Sequence, residues 1–482
     1  MKPAKRNQIL PILLALVTLG STFVSCAKSA DSSAPDAGTA AQTTEAETTS
    51  ALSTIERKDF GGYEYRIIST NQDNRHVDVV AESETGSTLN DLVYRRNLVI
   101  EETFNVVISA EDSDFGSINS MIQRNVQAGD NPYSLYMTNS TAYSLAVSGY
   151  LLPWNSIESM DITKPWWDQK AISDMSIGGK SFLITGDISP TCLLTSECIL
   201  FNKNLFDDKN IAYPYDDAFA GTWTLDKMIA LTKGLTTDLN GDGEIKVDDD
   251  LYSFTLWFDA GTALFYGAGG YLSKKDESDY PVIDFDIDKI STIYDKIYKL
   301  VIENQANYST VDHEGTFKLF KQGRAYFCDI TFQKIELFLR DMEDDYGVLP
   351  LPKFDESQPS YLTNVSGAGT MVVMPKSAVD LDIIGTVTDG MAAASYDMIT
   401  PSLYDVIAST KNVRDEQSSK MVQLIIRNRV YDPVRMYFID GNNFADDLLA
   451  KKSDSVASYF ASVQQRGEKQ LQKLIESFIE NN

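Results

Sequence analysis

The sequence predicts an α/β protein with two lobes. Short apolar strands alternate with amphipathic helices from residue 62 onward, which is the pattern of a mostly parallel sheet. The same alternation starts again near residue 198. Residues 57–482 are also too many for one compact core, because single cores stop growing at about 250–300 residues. We therefore expect two α/β lobes.

The first region predicts strand, helix, strand, helix and strand in that order. The stretch "GYEYRIIST" alternates and predicts a strand over 63–69. The stretch "TLNDLVYRRNLVIEETFNVVI" has apolar residues at helical spacing and then predicts a second strand over 105–109. A helix ending near Gly129 is predicted from "SINSMIQRNVQAGD", and the third strand from "YSLYMTN".

The second region begins with "CILFNKNLFDD" and has the same character. A helix in "TWTLDKMIALTKGL", supported by Trp223, leads into an Asp-rich loop and the strand "LYSFTLWF". The helix "DKISTIYDKIYKLVIEN" has one apolar face, and "FKLFKQGRAYFCDI" predicts helix, turn and strand. The chain then crosses back through "YGVLPLPKFDESQP" into "MVVMPKSA", and the final third, from "DLDIIGTVTDGMAAASYDMI" to "LQKLIESFIENN", is predicted to be helical.

The N-terminus is predicted to be a secretory signal, residues 1–25, that ends before a lipid-modified cysteine. Basic residues precede a long apolar run, and a small residue precedes Cys26, as in the lipobox of bacterial lipoproteins. An ordinary signal peptide with a chance cysteine is the alternative. Residues 26–56 are rich in Ser, Thr and Ala and predict a disordered tether. We expect a protein anchored by lipid on the extracellular face of the cell membrane.

Charge and cysteine content narrow the possible partners. The net charge is −27, and loss of the three basic signal residues takes it to −30, which disfavours nucleic acid and anionic lipid surfaces. Cys192 and Cys198 are six residues apart in an apparent strand, about 20 Å along it, too far for a disulfide unless the chain turns back. With Cys328, we interpret them as buried apolar residues.

The stretch "DLNGDGEIKVDD", residues 238–249, matches an EF-hand calcium loop. The pattern has oxygen ligands at positions 1, 3, 5, 7 and 12 and glycine at position 6. These positions hold Gly243 at the turn and, as predicted ligands, Asp238, Asn240, Asp242, Glu244 (through its carbonyl) and Asp249. Asp rather than Glu at position 12 predicts modest affinity, and no second loop is present to pair with it. We expect a structural Ca²⁺; a surface turn that binds nothing is the alternative.

Catalytic signatures are scarce. The chain has two histidines, His76 and His313, and lacks the G-x-S-x-G, H-E-x-x-H and phosphate-loop motifs. The many carboxylates leave glycoside hydrolysis open, but no specific pair stands out. We therefore expect a protein that is not an enzyme.

Eight stretches in order resemble the extracellular solute-binding proteins of bacterial ABC importers, especially the sugar-binding lipoproteins (family 1, sugar type): "NDLVYRRNLVIEETFNV", "KPWWDQKAI", "SFLITGDIS", "ILFNKNLFDD", "TWTLDKM" with "DLNGDG", "FKQGRAYF", "YGVLPLPK" and "SYDMITPSLYD". The resemblance implies a two-lobed periplasmic-binding-protein-like fold of type II, an ABC permease partner and a monomer that closes over its solute. It implies lobe 1 over 57–195 plus 362–404, lobe 2 over 196–361 plus 405–482, and hinge crossings near 195–201, 349–361 and 402–407.

Tryptophans and acids after predicted strands are the candidate ligand contacts, because sugars stack on aromatic rings and bond to carboxylates. Trp166 and Trp167 lie in a polar segment where burial of both is difficult, so one is expected to line the cleft; packing between helix and sheet is the alternative. Trp257, with Asp259 two residues later, follows a predicted strand and suits a sugar contact.

Polar residues at other strand ends complete the set. In the family, ligand is reached by polar groups such as those that end "YSLYM", namely Asn139, Ser140 and Thr141. Asp187 and Asp329 also follow apparent strands, with a helix cap or turn as the alternative role. Tyr396 is a candidate for stacking, although its helical position favours a buried packing role.

The resemblance implies capture of a sugar or oligosaccharide for import. Two alternatives stay open: the same scaffold binding another solute such as a peptide, and a surface carbohydrate-binding lipoprotein without a transporter. A polyanion site would collect Lys and Arg, whereas this sequence offers aromatic and acidic residues.

Overall fold

The computed structural model describes residues 50–309, 311–367, 369–408 and 415–481. The predicted signal peptide, Cys26 and most of the predicted tether lie outside these residues. Residues 50–56, the end of that tether, are ordered: Ser50 Oγ and the N–H groups of Ala51 and Leu52 donate to the Asp397 carboxylate at 2.7, 3.1 and 3.2 Å. In the described part of the chain, no helix combines the length and apolar character needed to cross a membrane.

Fourteen strands are present in the described residues: β1 Tyr63–Thr70, β2 Val106–Ser113, β3 Leu135–Thr138, β4 Leu151–Leu152, β5 Glu197–Asn202, β6 Tyr252–Leu256, β7 Ser273–Lys275, β8 Pro281–Ile283, β9 Asn307–Tyr308, β10 Ala325–Thr331, β11 Tyr346–Leu349, β12 Thr363–Asn364, β13 Met371–Pro375 and β14 Arg429–Val430.

Eighteen α-helices connect them in the same described ranges: α1 Thr88–Phe104, α2 Phe115–Ala128, α3 Tyr143–Val147, α4 Gln169–Met175, α5 Pro190–Leu194, α6 Lys203–Asp208, α7 Tyr215–Ala220, α8 Leu225–Thr232, α9 Ala260–Gly267, α10 Ile287–Tyr298, α11 His313–Lys321, α12 Phe332–Phe338, α13 Leu381–Met398, α14 Thr400–Ala408, α15 Glu416–Arg427, α16 Pro433–Met436, α17 Phe444–Ala450 and α18 Val456–Asn481.

The first sheet has the strand order β2-β1-β3-β13-β4. The strand β1 pairs in parallel with β2 on one side and with β3 on the other. The strand β13, which comes from much later in the chain, is antiparallel to β3 and β4. One core packs this sheet against α1 and α13, with Tyr65, Ile100, Phe104 and Met391 fully buried.

The second sheet has the order β11-β5-β10-β6-β9 and repeats the same plan. The strand β6 pairs in parallel with β9 and β10, and β5 is antiparallel to β10 and β11. In each sheet, therefore, three parallel strands are followed by one antiparallel strand, β13 in the first sheet and β5 in the second. The mixed sheets and this repeated plan confirm the predicted α/β fold class.

The chain passes between the two sheets along adjacent segments. It enters the second sheet directly after α5 and returns between β11 and β13. Ser196 forms a bridge with Val365, and β12 pairs in parallel with β14, so these segments run side by side. Helix α14 lies between α13, which packs on α1, and α15, which packs on β11. The boundaries of the lobes and hinges stay a prediction.

The three described cysteines are buried and free, as expected. Their local placement differs from the prediction in one respect. Cys192 lies in α5 and not in a strand, because Pro190 begins a short helix just before β5. Cys198 lies in β5 and Cys328 in β10.

Candidate functional site

The strand orders single out one edge of each sheet. In the first sheet, β1 lies between β2 and β3. In the second sheet, β6 lies between β9 and β10 in the same way. Ligands of open α/β sheets bind at the carboxyl ends of strands where the order reverses like this. The candidate site therefore comprises residues that follow β1, β3, β6 and β10.

The polar residues after β3 are already bonded to protein. The side-chain Oδ1 of Asn139 accepts hydrogen bonds from the Thr141 N–H and hydroxyl at 3.0 and 2.6 Å, so Asn139 caps a short 3₁₀ turn. The Ser140 hydroxyl donates to the carbonyl of Gly367 at 2.6 Å. These residues lie at the predicted edge, next to the segment that returns from the second sheet.

Trp166 and Trp167 are both buried in the core of the first sheet. Their indole N–H groups donate to the same Asp389 oxygen at 2.6 and 2.8 Å. Gly186 makes this possible, since a Cβ there would lie 2.3 Å from the Trp166 carbonyl. Both are buried although their polar segment made this look difficult, because Asp389 of α13 supplies a polar partner that the local sequence does not show.

Asp187 lies near the segments that connect the sheets. It is buried and accepts a hydrogen bond from the Thr400 hydroxyl. Burial raises the pKa of Asp187 to about 7, against the opposing effects of Thr400 and Arg429. The Arg429 guanidinium pairs with Asp168 at 2.6 Å.

Trp257, Asp259 and Asp329 are brought together near the carboxyl end of the second sheet. The prediction that Asp329 follows a strand is wrong, because pairing with β5 extends β10 as far as Thr331. The Trp257 ring is largely buried, with the Lys334 ammonium 4.8 Å from its centre. Asp259 pairs with Arg435 at 2.5 Å. Burial, followed by Asp259, raises the pKa of Asp329 well above its usual range, while Trp257 opposes that rise.

Two further carboxyls join this group and were missed in the sequence. Glu197, the first residue of β5, and Asp446, in α17, are both buried. Burial and the neighbouring Asp329 raise the pKa of Glu197 well above normal, and burial raises that of Asp446 to about 7. No local motif could reveal them, because they come from distant segments that meet only in the fold.

Two aromatic residues outside the sheets have exposed side chains. Tyr396 is 40 % exposed, so its interpretation as a buried packing residue is wrong. Phe438, which the sequence does not single out, is 44 % exposed and has a left-handed φ of 53°. Its ring lies 6.4 Å from that of Tyr143 and close to Gly367, beside Ser140.

Comparison with known proteins establishes the family. The profile of the bacterial extracellular solute-binding proteins matches residues 81–382, more than half of the chain. This protein belongs to that family. No curated protein sequence is significantly similar to it.

Solved structures of solute-binding proteins share the fold at low sequence identity. The cyclic α-maltosyl-1,6-maltose binding protein of Arthrobacter globiformis is 13 % identical with a TM-score of 0.56, covering 86 % of this chain and 99 % of its own. UgpB of Mycobacterium tuberculosis, in complex with glycerophosphocholine, is 12 % identical with a TM-score of 0.56 and coverages of 86 and 99 %. A Thermotoga lettingae protein bound with α-D-tagatose is 13 % identical with a TM-score of 0.53 and coverages of 86 and 100 %.

The Asp-rich loop of this solute-binding protein turns around its own carboxylates. Asp238 accepts hydrogen bonds from the N–H groups of Gly241 and Gly243 at 2.6 and 2.7 Å. Gly243 has a φ of 84°, a conformation that a side chain would strain. Asp242 accepts from the Glu244 N–H at 2.8 Å. The first half of the loop thus has a sharp turn at the predicted glycine.

The second half of the loop differs from the calcium pattern. The Lys246 ammonium lies 2.9 Å from Asp242 and 2.6 Å from Glu244. Asp250 is fully buried and accepts from the N–H groups of Leu239 and Lys246, whereas Asp249 is exposed. Across the described ranges, no group of three or more His, Cys, Asp or Glu side chains is arranged to hold a metal ion. The oxygen donors suit Ca²⁺, but their present arrangement does not form a complete site.

Proposed function

We propose that this solute-binding protein captures a carbohydrate between its lobes and delivers it to an ABC permease. The observation that carries the proposal is the grouping of Trp257 with Asp259 and Asp329 at the carboxyl end of the second sheet. An aromatic face beside carboxylates suits the apolar and hydroxyl faces of a sugar. The sugar ligands of the Arthrobacter and Thermotoga structures support the same class.

A thermal-shift screen tests this function. The chain from residue 27 is melted with mono- and oligosaccharides, peptides, polyamines and glycerophosphocholine. A ligand at 100 times its Kd stabilises the folded protein by about 2.7 kcal/mol. We expect one saccharide series to raise the Tm. A shift from another solute, with none from any saccharide, would keep the solute-binding role and exclude carbohydrate.

A different solute is the second candidate. The glycerophosphocholine complex of the Mycobacterium tuberculosis protein shows that this fold also carries a ligand that is not a sugar. The buried carboxyls near Asp329 disfavour an anionic group, because like charges at low dielectric repel strongly. A carbohydrate-binding role at the cell surface without a transporter also stays open, and loss of growth on one sugar after deletion of a permease gene would argue against it.

We propose further that the protein acts without catalysis and is held at the membrane through lipid on Cys26. The family is solute-binding, which supports a role that ends at capture and delivery. Metabolic labelling with a radioactive fatty acid tests the anchor. We expect label in the wild-type protein and none in Cys26→Ala; label that persists in the variant would exclude lipidation at this cysteine.

Calcium in the loop 238–249 is proposed as a structural ion that is distinct from the solute. The oxygen atoms of Asp238, Asn240 and Asp242 support it, although Lys246 must leave Asp242 for an ion to enter. We expect Ca²⁺ to raise the Tm relative to EDTA, and Asp242→Ala to abolish that increment. Equal melting temperatures with Ca²⁺ and EDTA would show that the loop is a surface turn.

A further inference from the structure

Four carboxyl groups meet at the carboxyl end of the second sheet. This acid cluster consists of Glu197, Asp259, Asp329 and Asp446, all of them buried. The four acids repel one another, and the charge of Asp259 raises the pKa values of the other three. In the described ranges, Arg435 forms an ion pair with Asp259 of this cluster at 2.5 Å. The Lys334 ammonium, 4.8 Å from the centre of the Trp257 ring, is a second cation beside the cluster, so the four acids outnumber the nearby cations.

Two of the four acids have adequate partners. Asp259 binds Arg435. Asp446 accepts from the N–H groups of Gly261 and Thr262 at 2.8 and 3.1 Å and from the Tyr308 hydroxyl at 3.1 Å. These carboxyls are explained by the fold, as a helix cap on α9 and an ion pair.

The other two acids, Glu197 and Asp329, have too few partners for their burial. Glu197 accepts one hydrogen bond, from the Asn364 amide at 3.0 Å, and its second oxygen accepts none. Neither oxygen of Asp329 forms a well-aligned hydrogen bond among the described residues, although the Trp257 side chain is close enough to oppose the rise of its pKa. Both residues are 0 % exposed. Buried carboxyl oxygens almost always have hydrogen-bond partners, so two buried acids with unsatisfied oxygens need an explanation from function.

The strand register places these two acids on one face of the sheet. In the antiparallel pair of β5 and β10, Glu197 lies opposite Thr331, and Asp329 lies opposite Ile199. The two acids are therefore diagonal neighbours, about 7–8 Å apart at the backbone. They lie where β5 enters from the first sheet, and a group held between them would touch both.

The chemistry of the partner follows from charge and hydrogen bonding. In the ionised form, which a bound cation stabilises, each carboxylate only accepts hydrogen bonds, so a partner of that form is a donor. The four acids outnumber the two nearby cations, Arg435 and Lys334, and this excess favours a further cation. In the described part of the chain, no group of carboxyl side chains is arranged to hold a metal ion. An ammonium group, with three N–H donors and one positive charge, satisfies both requirements.

We propose that Glu197 and Asp329 bind an ammonium group of the solute, so that the cargo is an amine-bearing carbohydrate. This inference rests on the proposed function and specifies its substrate class. Without solute, burial and like charge favour the protonated carboxyls. Entry of an ammonium group reverses this preference, and binding releases a proton to the solvent.

Calorimetric titration of the wild-type protein tests the proposal. The probes are glucosamine oligosaccharides, their N-acetylated counterparts, and spermidine as an amine without sugar. We expect the amino forms to bind at least tenfold tighter than the N-acetyl forms. Titration in buffers of different ionisation enthalpy should show proton release with the amino forms alone.

Two variants and a control locate the effect. Asp329→Asn and Glu197→Gln keep the size of the side chain and remove the charge, and each should lose the amine preference. Asp341→Asn makes the same change at an exposed ion pair with Lys321 and should leave it intact. Circular dichroism melts show whether each variant folds, and either variant of the pair suffices for the test.

The outcomes separate this inference from the proposed function. Equal binding of amino and N-acetyl saccharides overturns the ammonium site and keeps carbohydrate capture. Binding of spermidine without any saccharide keeps the ammonium site and overturns the carbohydrate assignment. Failure of every amine to bind, or an amine preference that survives in both variants, overturns the inference.

Discussion

At the scale of single residues, Asp389 shows how a core accepts polar groups. One of its oxygens accepts both the Trp166 and the Trp167 indole N–H groups, and burial raises its pKa despite these bonds. The two tryptophans looked like cleft residues because they follow a proline in a polar segment. Their partner lies more than 200 residues later in the chain, so no local pattern could assign them to the core.

We expect Asp389→Ala to destabilise the protein by about 3 kcal/mol. The substitution leaves two buried indole N–H groups without an acceptor, and each such group costs about 1–3 kcal/mol. Urea unfolding followed by tryptophan fluorescence measures this loss. Asp389→Asn retains an acceptor oxygen and should cost clearly less; equal losses would show that the indole hydrogen bonds are not the cause.

Phe438 combines an exposed ring with a left-handed backbone. This combination predicts that the side chain lowers stability and contributes to solute binding. A left-handed conformation costs a residue with a side chain about 1–2 kcal/mol. We expect Phe438→Gly to leave the protein as stable as wild type or more stable, and to weaken solute binding. Phe438→Ala keeps the strained Cβ and is the control.

Thermal melts and solute titrations of both Phe438 variants decide the point. If the glycine variant is much less stable than wild type, the ring serves packing. If it binds solute as tightly as wild type, Phe438 does not contact the solute.

At the scale of elements, the Asp-rich loop is closed by a residue outside its motif. Asp250 binds the N–H groups of Leu239 and Lys246 at 2.8 and 2.7 Å, and so ties the two ends of the loop together. The loop pattern assigns position 12 to Asp249, which is exposed. A spacing motif counts residues, and it cannot tell which of two adjacent aspartates turns inward.

Two alanine variants separate closure of the loop from calcium binding. In EDTA, Asp250→Ala should cost about 2–4 kcal/mol, because two backbone donors lose their acceptor. Asp249→Ala should change stability by less than about 0.5 kcal/mol in EDTA, as exposed substitutions usually do. Chemical denaturation with and without Ca²⁺ measures both. A large cost for Asp249→Ala in EDTA would contradict this division.

Most helices and strands were predictable because their signals are local. The apolar spacing of α1 and α10 and the alternation of β1 are visible within short windows. The predicted second strand, over 105–109, extends further than its pattern, as Val106–Ser113, because pairing with β1 continues along its whole length. The short helices α5 and α16 have too few residues for a periodic signal.

At the scale of the whole molecule, buried acids predict how stability depends on pH. The pKa of Asp78 is raised to about 6 and those of Asp187 and Asp446 to about 7, chiefly by burial. In the unfolded chain these groups titrate near 3.9. Between about pH 4 and pH 7 the folded state therefore holds more protons, and stability falls as the pH rises through this window.

We expect the protein without solute to melt at a higher temperature at pH 5 than at pH 7.5. Melts at constant ionic strength across this range measure the slope. Exposed aspartates with lowered pKa values, such as Asp59 and Asp114, act in the opposite direction only below about pH 4, because above it they are ionised in both the folded and the unfolded state. The slope should be shallower in Asp187→Asn, and a Tm that rises steadily towards pH 7.5 would contradict the prediction.

The sequence by itself determined the α/β class, the repeated strand–helix order and the free buried cysteines, because periodicity and composition act over short distances along the chain. It also indicated as candidates Trp257 and Asp259, which follow β6, and Asp329, which lies inside β10 near its carboxyl end. Only the tertiary structure joined them to Glu197, Asp446 and Arg435. Those residues come from distant segments and meet only because two sheets of the same plan are connected by adjacent crossing strands. The burial of these acids and the charges around them depend on those tertiary contacts, so no single stretch of sequence can predict them.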